Sequence, residues 1–151
     1  MADKIRLDLI GASVKGTWSA RSHLPALQAS TDVELTAVCT TRADSAEAAR
    51  RAYGARLAFD DYRKMIASPE IDAVAIVVRV PSHYAPTKAA LEAGKHVYCE
   101  WPLGRTTGEA VELSALAKAK GLATAVGLQL HVGATHEIVP CNNLERTFIL
   151  T

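Results

Sequence analysis

The chain has 151 residues, 49% hydrophobic and 22% charged, with a formal net charge of +1. That is enough apolar material for one soluble globular domain with a real core, and too much for a disordered chain. The near-neutral charge, with no cluster of Lys and Arg interleaved with aromatics, leaves no basic field to hold nucleic acid or an anionic membrane surface.

The first residues, Met1 to Arg6, lack the apolar stretch of a signal peptide, and no apolar run approaches the roughly 20 residues of a membrane span. A cytoplasmic protein with no membrane partner is the expectation. Apolar runs then alternate with helical patterns. Ile5 to Ile10, Val33 to Cys39, Ala73 to Val78, His96 to Cys99 and Ala123 to Leu128 read as strands, with Leu57 to Phe59 a short one. Their two-sided apolar character fits strands covered on both faces, as in a parallel sheet.

Between the strands lie helices. The first, around Gly16 to Gln28, contains Pro25, so a kink or restart is expected near Ser22. The second runs from about Ser45 to Tyr53, with Asp44 and Glu47 at capping-box spacing and Gly54 as its stop. A third follows Ser82 and stops at Gly94. A fourth begins at Thr106, again with capping-box spacing to Glu109, and ends before Gly121. Strand and helix repeated with short links give an α/β fold, a doubly wound, Rossmann-like parallel sheet, over residues 1–130. Residues 131–151 break the pattern with Pro140, Asn142 and Asn143 and read as an atypical tail, poorly ordered or loosely docked. Cys39, Cys99 and Cys141 are odd in number and widely spaced, which supports neither a disulfide framework nor a CxxC metal site. Cys39 and Cys99 read as buried thiols. His131 and His136 lack the partners of a metal helix, so no metal is expected.

The chemistry sits at strand ends. Gly11-Ala12-Ser13-Val14-Lys15-Gly16 matches G-x-G-x-x-G except for Ser13 in the middle. Gly11 permits the tight turn, Gly16 permits close packing, and free N–H groups at a helix start face a pyrophosphate. Ser13 puts a side chain where the backbone would approach, although its hydroxyl can donate to a phosphate oxygen. A glycine turn without ligand has the same spacing. The second strand ends in Cys39-Thr40-Thr41-Arg42 rather than in an acid that would accept from a ribose 2′-hydroxyl. Thr41 and Arg42 suit a 2′-phosphate, which favours NADP over NAD, unless Arg42 is only a solvated loop cation.

Two further motifs carry a resemblance. Gly94-Lys95-His96 followed by Glu100-Trp101-Pro102, and Val80-Pro81-Ser82-His83 at the end of the fourth strand, together resemble the glucose-fructose oxidoreductase, inositol dehydrogenase and rhizopine-catabolism family. Most members place a longer Pro-Asn-x-x-His loop before the histidine and a lysine where Trp101 stands. The shorter loop, Trp101, Ser13, Trp18 and His23 are similar to the subgroup that contains the galactose-regulon repressor of yeasts, a dinucleotide-binding sensor. The resemblance implies Gly11, Ser13 and Gly16 at the pyrophosphate and Thr41 and Arg42 at the adenosine ribose. It places Val80, Pro81 and His83 along the nicotinamide and Glu100 near the nicotinamide ribose. His83 can equally be a helix-start residue that packs or caps. A cis Trp101-Pro102 peptide is also implied.

The family's lysine is the cationic end of its hydride-transfer site. A cation or acid there aids proton removal by about 10² to 10⁴-fold, and an indole has one weak donor and no basic nitrogen. Trp101 can instead stack on a sugar or nicotinamide, or pack at a sheet edge. No catalytic residue is therefore assigned. The resemblance also implies a second α/β domain that supplies the substrate pocket and usually the oligomer interface. Its absence after residue 130 points to a truncated or frame-shifted product with exposed apolar surface and a tendency to self-associate. The function expected is an NAD(P)-binding domain of a sugar or polyol oxidoreductase, incomplete as a catalyst alone. A non-catalytic dinucleotide-dependent sensor and a non-functional fragment are the alternatives.

Overall fold

The computed structural model describes residues 4–15 and 18–127. Gly16 and the whole 131–151 stretch, with His131, His136 and Cys141, therefore lie outside the described residues. Six parallel strands form one sheet: β1 (Ile5–Ile10), β2 (Val33–Cys39), β3 (Leu57–Phe59), β4 (Ala73–Ile76), β5 (His96–Glu100) and β6 (Thr124–Gly127). Their spatial order is β3-β2-β1-β4-β5-β6, so the chain reverses direction across the sheet between β1 and β4. This is the doubly wound arrangement expected from the alternating pattern.

Alternate side chains of the strands feed two cores. Ile10, Cys39, Ile76 and Cys99 pack on one face with Met65, Leu91 and Leu113. Leu9, Val38, Ala75 and Val77 pack on the other with Leu24 and Ala49. The helices that supply these side chains are α1 (Leu24–Ala29) and α2 (Ala43–Tyr53) on one face, and α3 (Tyr62–Ile66), α4 (Tyr84–Glu92) and α5 (Thr107–Ala119) on the other. Both described cysteines are free and buried. Burial pushes the Cys39 thiol up to about 12 and the Cys99 thiol up to about 11, so both are unreactive at neutral pH.

Several local features depart from the sequence pattern. The restart expected near Ser22 is a π-helical turn, Ser19–His23, that runs into α1 with Pro25 in its first turn, where a missing N–H costs nothing. The Asp44–Glu47 capping box does not form. Arg42 is the N-cap of α2 without a side-chain cap; Asp44 instead takes the Ser45 amide at 2.9 Å, and Glu47 pairs with Arg50 and Arg51. Competing guanidiniums one helical turn away outbid the backbone for that carboxylate. At α5 the box is half-formed: Thr106 Oγ1 accepts from the Glu109 amide, but Glu109 turns to the Arg105 amide at 2.6 Å. The expected stops Gly54, Gly94 and Gly121 all have positive φ. β4 ends at Ile76 rather than Val78, because β1 ends beside it at Ile10 and its last bond is Val77 N–H to the Ile10 carbonyl. The short α3, capped by Asp61 accepting from the Arg63 amide at 2.9 Å, is an element that the pattern did not disclose.

Asp8, in the middle of β1, is wholly buried. The register of β1 against β2 slips there, leaving Thr36 as the extra residue of a bulge. The Asp8 carboxyl oxygens and the Thr36 hydroxyl have no hydrogen-bond partner among the described residues. Burial drives the Asp8 carboxyl up to about 7, against the smaller pull of the Ala37 amide and Lys95.

Candidate functional site

The reversal between β1 and β4 opens a crevice outside the carboxyl ends of the strands, where open α/β sheets bind their ligands. A cleft of about 740 Å³ lies there. Gly11 begins its floor. Its φ is +94°, and a Cβ on it would fall 2.1 Å from the Val77 carbonyl oxygen, so the turn off β1 packs against the end of β4 only as glycine. Ser19 Oγ donates to the Gly11 carbonyl at 2.9 Å. Tyr53, at the end of α2, donates its hydroxyl to the Ser13 carbonyl at 3.0 Å. The Ser13 hydroxyl itself accepts from the Lys15 amide at 3.3 Å.

On the far wall, His83 is 1% exposed. Its Nδ1 lies 2.8 Å from the Pro102 carbonyl and its Nε2 2.9 Å from the Val78 carbonyl. With both nitrogens facing backbone acceptors, the ring ties the exit of β4 to the loop after β5 and offers the cleft a wall rather than a donor. It thus packs and lines the cleft at once. Pro102 follows Trp101 through a cis peptide, as the resemblance implied.

Glu100, the last residue of β5, is gripped from behind. Its Oε1 lies 2.6 Å from His23 Nε2 and accepts the Tyr98 hydroxyl at 3.1 Å. The His23 ring meets the Tyr98 ring edge to face, with centroids 5.4 Å apart. Gly127 of β6 leaves room for this: a Cβ there would fall 2.1 Å from the Tyr98 hydroxyl. Burial, then the neighbouring Glu100 charge, holds the Tyr98 phenol well above its ordinary range, so it stays a donor. Trp101 is 63% exposed and is not packed at a sheet edge; with Trp18, 48% exposed, it lines the cleft mouth.

Of the residues singled out in the sequence, Gly11, Val80, Pro81, His83, Glu100 and Trp101 therefore meet around one cleft. Ser13 sits in the turn beside it. Thr41 and Arg42 lie at the end of β2, away from its walls, with the Arg42 side chain forked on Asp44. Trp18 and Arg79 also line the cleft, and His23, Tyr98 and Tyr53 support it. His23 was noticed only as part of the subgroup pattern. Tyr98 and Tyr53 carried no signal, because their roles depend on partners brought in by the fold. Among the described residues no group of three His, Cys, Asp or Glu side chains could hold a metal ion, and no helix is long and apolar enough to cross a membrane.

Comparison with known proteins agrees with this geometry. Residues 6–128 match the oxidoreductase family with an NAD-binding Rossmann fold that groups the glucose-fructose oxidoreductase, inositol dehydrogenase and rhizopine-catabolism proteins. The chain is 34% identical over 117 residues to the D-glucoside 3-dehydrogenase of Escherichia coli, covering 78% of this chain and 32% of the relative. It is 34% identical over 123 residues to the dTDP-3,4-didehydro-2,6-dideoxy-alpha-D-glucose 3-reductase of Streptomyces violaceoruber, covering 82% and 36%. Its fold is similar to that of KijD10, a 3-ketoreductase from Actinomadura kijaniata solved in complex with NADP. The TM-score there is 0.81 at 29% identity, over 89% of this chain and 42% of that one. The chain thus spans about a third of the length of these curated relatives. With the switch-point cleft, the glycine turn and the Glu100-Trp101-Pro102 strand end in their places, the chain belongs to the Gfo/Idh/MocA oxidoreductase family and carries its NAD-binding Rossmann domain.

Proposed function

We propose that the chain binds a nicotinamide dinucleotide across the β1–β4 crevice and forms the cofactor half of a sugar or polyol oxidoreductase. The observation that carries this reading is the convergence of Gly11, Val80, Pro81, His83 and Glu100 on one cleft at the topological switch point. The residues present fit such a ligand: the Gly11 turn brings bare backbone to the crevice, apolar walls flank it, and a fixed carboxylate stands at one end. Gly11, Ser13 and Gly16 would hold the pyrophosphate. Val80, Pro81 and His83 would line the nicotinamide, and Glu100 would accept from its ribose. When bound, the cofactor supplies hydride exchange; the chain contributes orientation and exclusion of water.

NADP is favoured over NAD through Thr41 and Arg42, with the 2′-phosphate drawing the Arg42 guanidinium from Asp44. The relatives' names support sugar-derived substrates, whose turnover would need protein beyond this chain. Titration of NADPH and NADH, followed by their fluorescence, tests the reading. Binding of both with NADPH tighter is expected; no change at millimolar concentrations of either refutes it.

One observation favours a second reading. Trp101 presents an exposed indole where the family signature has its lysine, which fits a non-catalytic sensor of the kind found in the galactose-regulon repressor subgroup. That reading predicts dinucleotide binding without oxidation of any sugar or polyol, even in a protein that carries the family's second domain. Turnover by such a protein, raised further by Trp101→Lys, would discard it. The exposed Trp18 and Trp101 also favour self-association, which light scattering would show as a mass above the monomer.

A further inference from the structure

Arg79 caps the short 3₁₀ turn of Val80–Ser82 with an extended backbone, and it lines the cleft between the end of β4 and Trp101. It is exposed. Several arginines away from the cleft are committed: Arg6 to Asp72, Arg42 to Asp44, Arg50 to Glu47 and Arg56 to Glu70. Arg79 has no ion pair among the described residues. It is also the one Lys or Arg among the cleft's described lining residues, whose other walls include Val77, Val78 and Val80. A lone guanidinium against apolar walls is a focused positive charge with a planar fork of donors, the arrangement that matches a phosphate or carboxylate bidentately.

The opposing charge in the cleft is Glu100. Its Oε1 is held on the His23 and Tyr98 side by their hydrogen-bond contacts.

We propose that Arg79 is the oxyanion-binding residue of this cleft, taking a phosphate or carboxylate of the ligand while the Trp101 indole covers the adjoining ring. Where the oxyanion is the dinucleotide's own phosphate, this rests on the dinucleotide reading above. Where it belongs to a co-substrate, it points to an anionic sugar, a sugar acid or sugar phosphate, rather than a neutral one.

The test compares the wild-type chain with Arg79→Gln and Arg79→Lys, after confirming that all three melt alike. Calorimetry is run with NADH, with inorganic pyrophosphate, and with D-glucuronate against D-glucose, the sugars with and without saturating NAD⁺. Loss of about tenfold or more in NADH and pyrophosphate affinity in Arg79→Gln, partly restored in Arg79→Lys, supports the proposal with the dinucleotide as the source. Unchanged NADH affinity with loss of a preference for glucuronate over glucose supports it with a co-substrate as the source. If Arg79→Gln alters none of these affinities while NADH binds normally, the proposal falls and the dinucleotide reading stands. Should the wild type bind pyrophosphate through Arg79 but not NADH, the dinucleotide reading falls and this one stands. A wild type that binds none of the probes overturns both.

Discussion

On the β1–β2 side of the crevice, polar groups bond mostly to neighbours in sequence. Arg42 reaches Asp44 two residues away, and the Ser13 hydroxyl takes the amide of Lys15. On the β4–β5 side the bonds span the fold: His23 to Glu100 is 77 residues apart, and His83 to Pro102 is 19. Local bonds on an exposed surface can be exchanged for bonds to a ligand while the fold stays intact. Bonds between distant elements are part of what closes the sheet, so ligand geometry on that side is fixed in advance and disturbing it costs stability. Tyr53 to Ser13, at 40 residues, is the long-range exception on the first side.

The largest expected effect comes from Asp8, which lies in β1 beneath the locally bonded side. Its carboxyl titrates near 7 when folded, against 3.8 for an exposed Asp. Between those values the folded chain holds a proton that the unfolded chain has released, so stability falls as pH rises from about 4 to 7 and levels off above. The shift corresponds to an upper bound of about 4 kcal/mol. Asp8→Asn removes this slope and unfolds at higher urea than the wild type at pH 8. Parallel urea midpoints for the two proteins at pH 4.5, 6 and 8 would show that the carboxyl is not held neutral, and that both sides of the crevice rest on an unstrained β1.

Next is His83→Ala on the β4–β5 side. The substitution opens a cavity and takes the ring N–H donor from one of the Val78 and Pro102 carbonyls, for a loss of about 3 kcal/mol. Chemical unfolding measures it. A loss below about 1 kcal/mol would mean that the distant bonds do not close the fold, and the contrast between the two sides would fail.

Tyr98→Phe is smaller. It removes one of two described donors to Glu100 Oε1 and leaves the ring contact with His23 in place. About 1 kcal/mol of stability should go with it, together with weaker NADH binding by fluorescence titration. Weaker stability with unchanged NADH affinity would assign the His23–Tyr98–Glu100 cluster to folding alone.

The same division governs what could be read from the sequence. Strand ends, the Gly11 turn and the glycine stops are legible because each is a local conformational demand written in neighbouring residues. The Glu100-Trp101-Pro102 signature is legible for the same reason. The Asp44–Glu47 spacing misled because Arg50 and Arg51 offered Glu47 better partners than an amide did. α3 has five residues, too few for a periodicity to declare itself. The His23–Glu100 contact, and the place of Arg79 on the cleft without an ion pair among the described residues, exist only once distant elements have met, and no spacing in the chain encodes them.

The smallest effect on stability belongs to Arg42→Ala, and it is the most direct probe of the locally bonded side. Arg42 and Asp44 are both largely exposed, with side chains 73% and 64% accessible, so water and salt screen their attraction. Removing the guanidinium should leave the melting temperature unchanged within error. Under the NADP reading it should weaken NADPH binding while leaving NADH almost untouched, because only a 2′-phosphate would have drawn Arg42 off Asp44. Asp44→Ala should act the other way, freeing Arg42 and tightening NADPH. If both variants leave the NADPH to NADH ratio where it was, the cation is a solvated loop residue and the end of β2 does not choose between the two cofactors. A fall in melting temperature of several degrees for either variant would contradict the division itself, since it would show that short-range, exposed bonds help to hold the sheet.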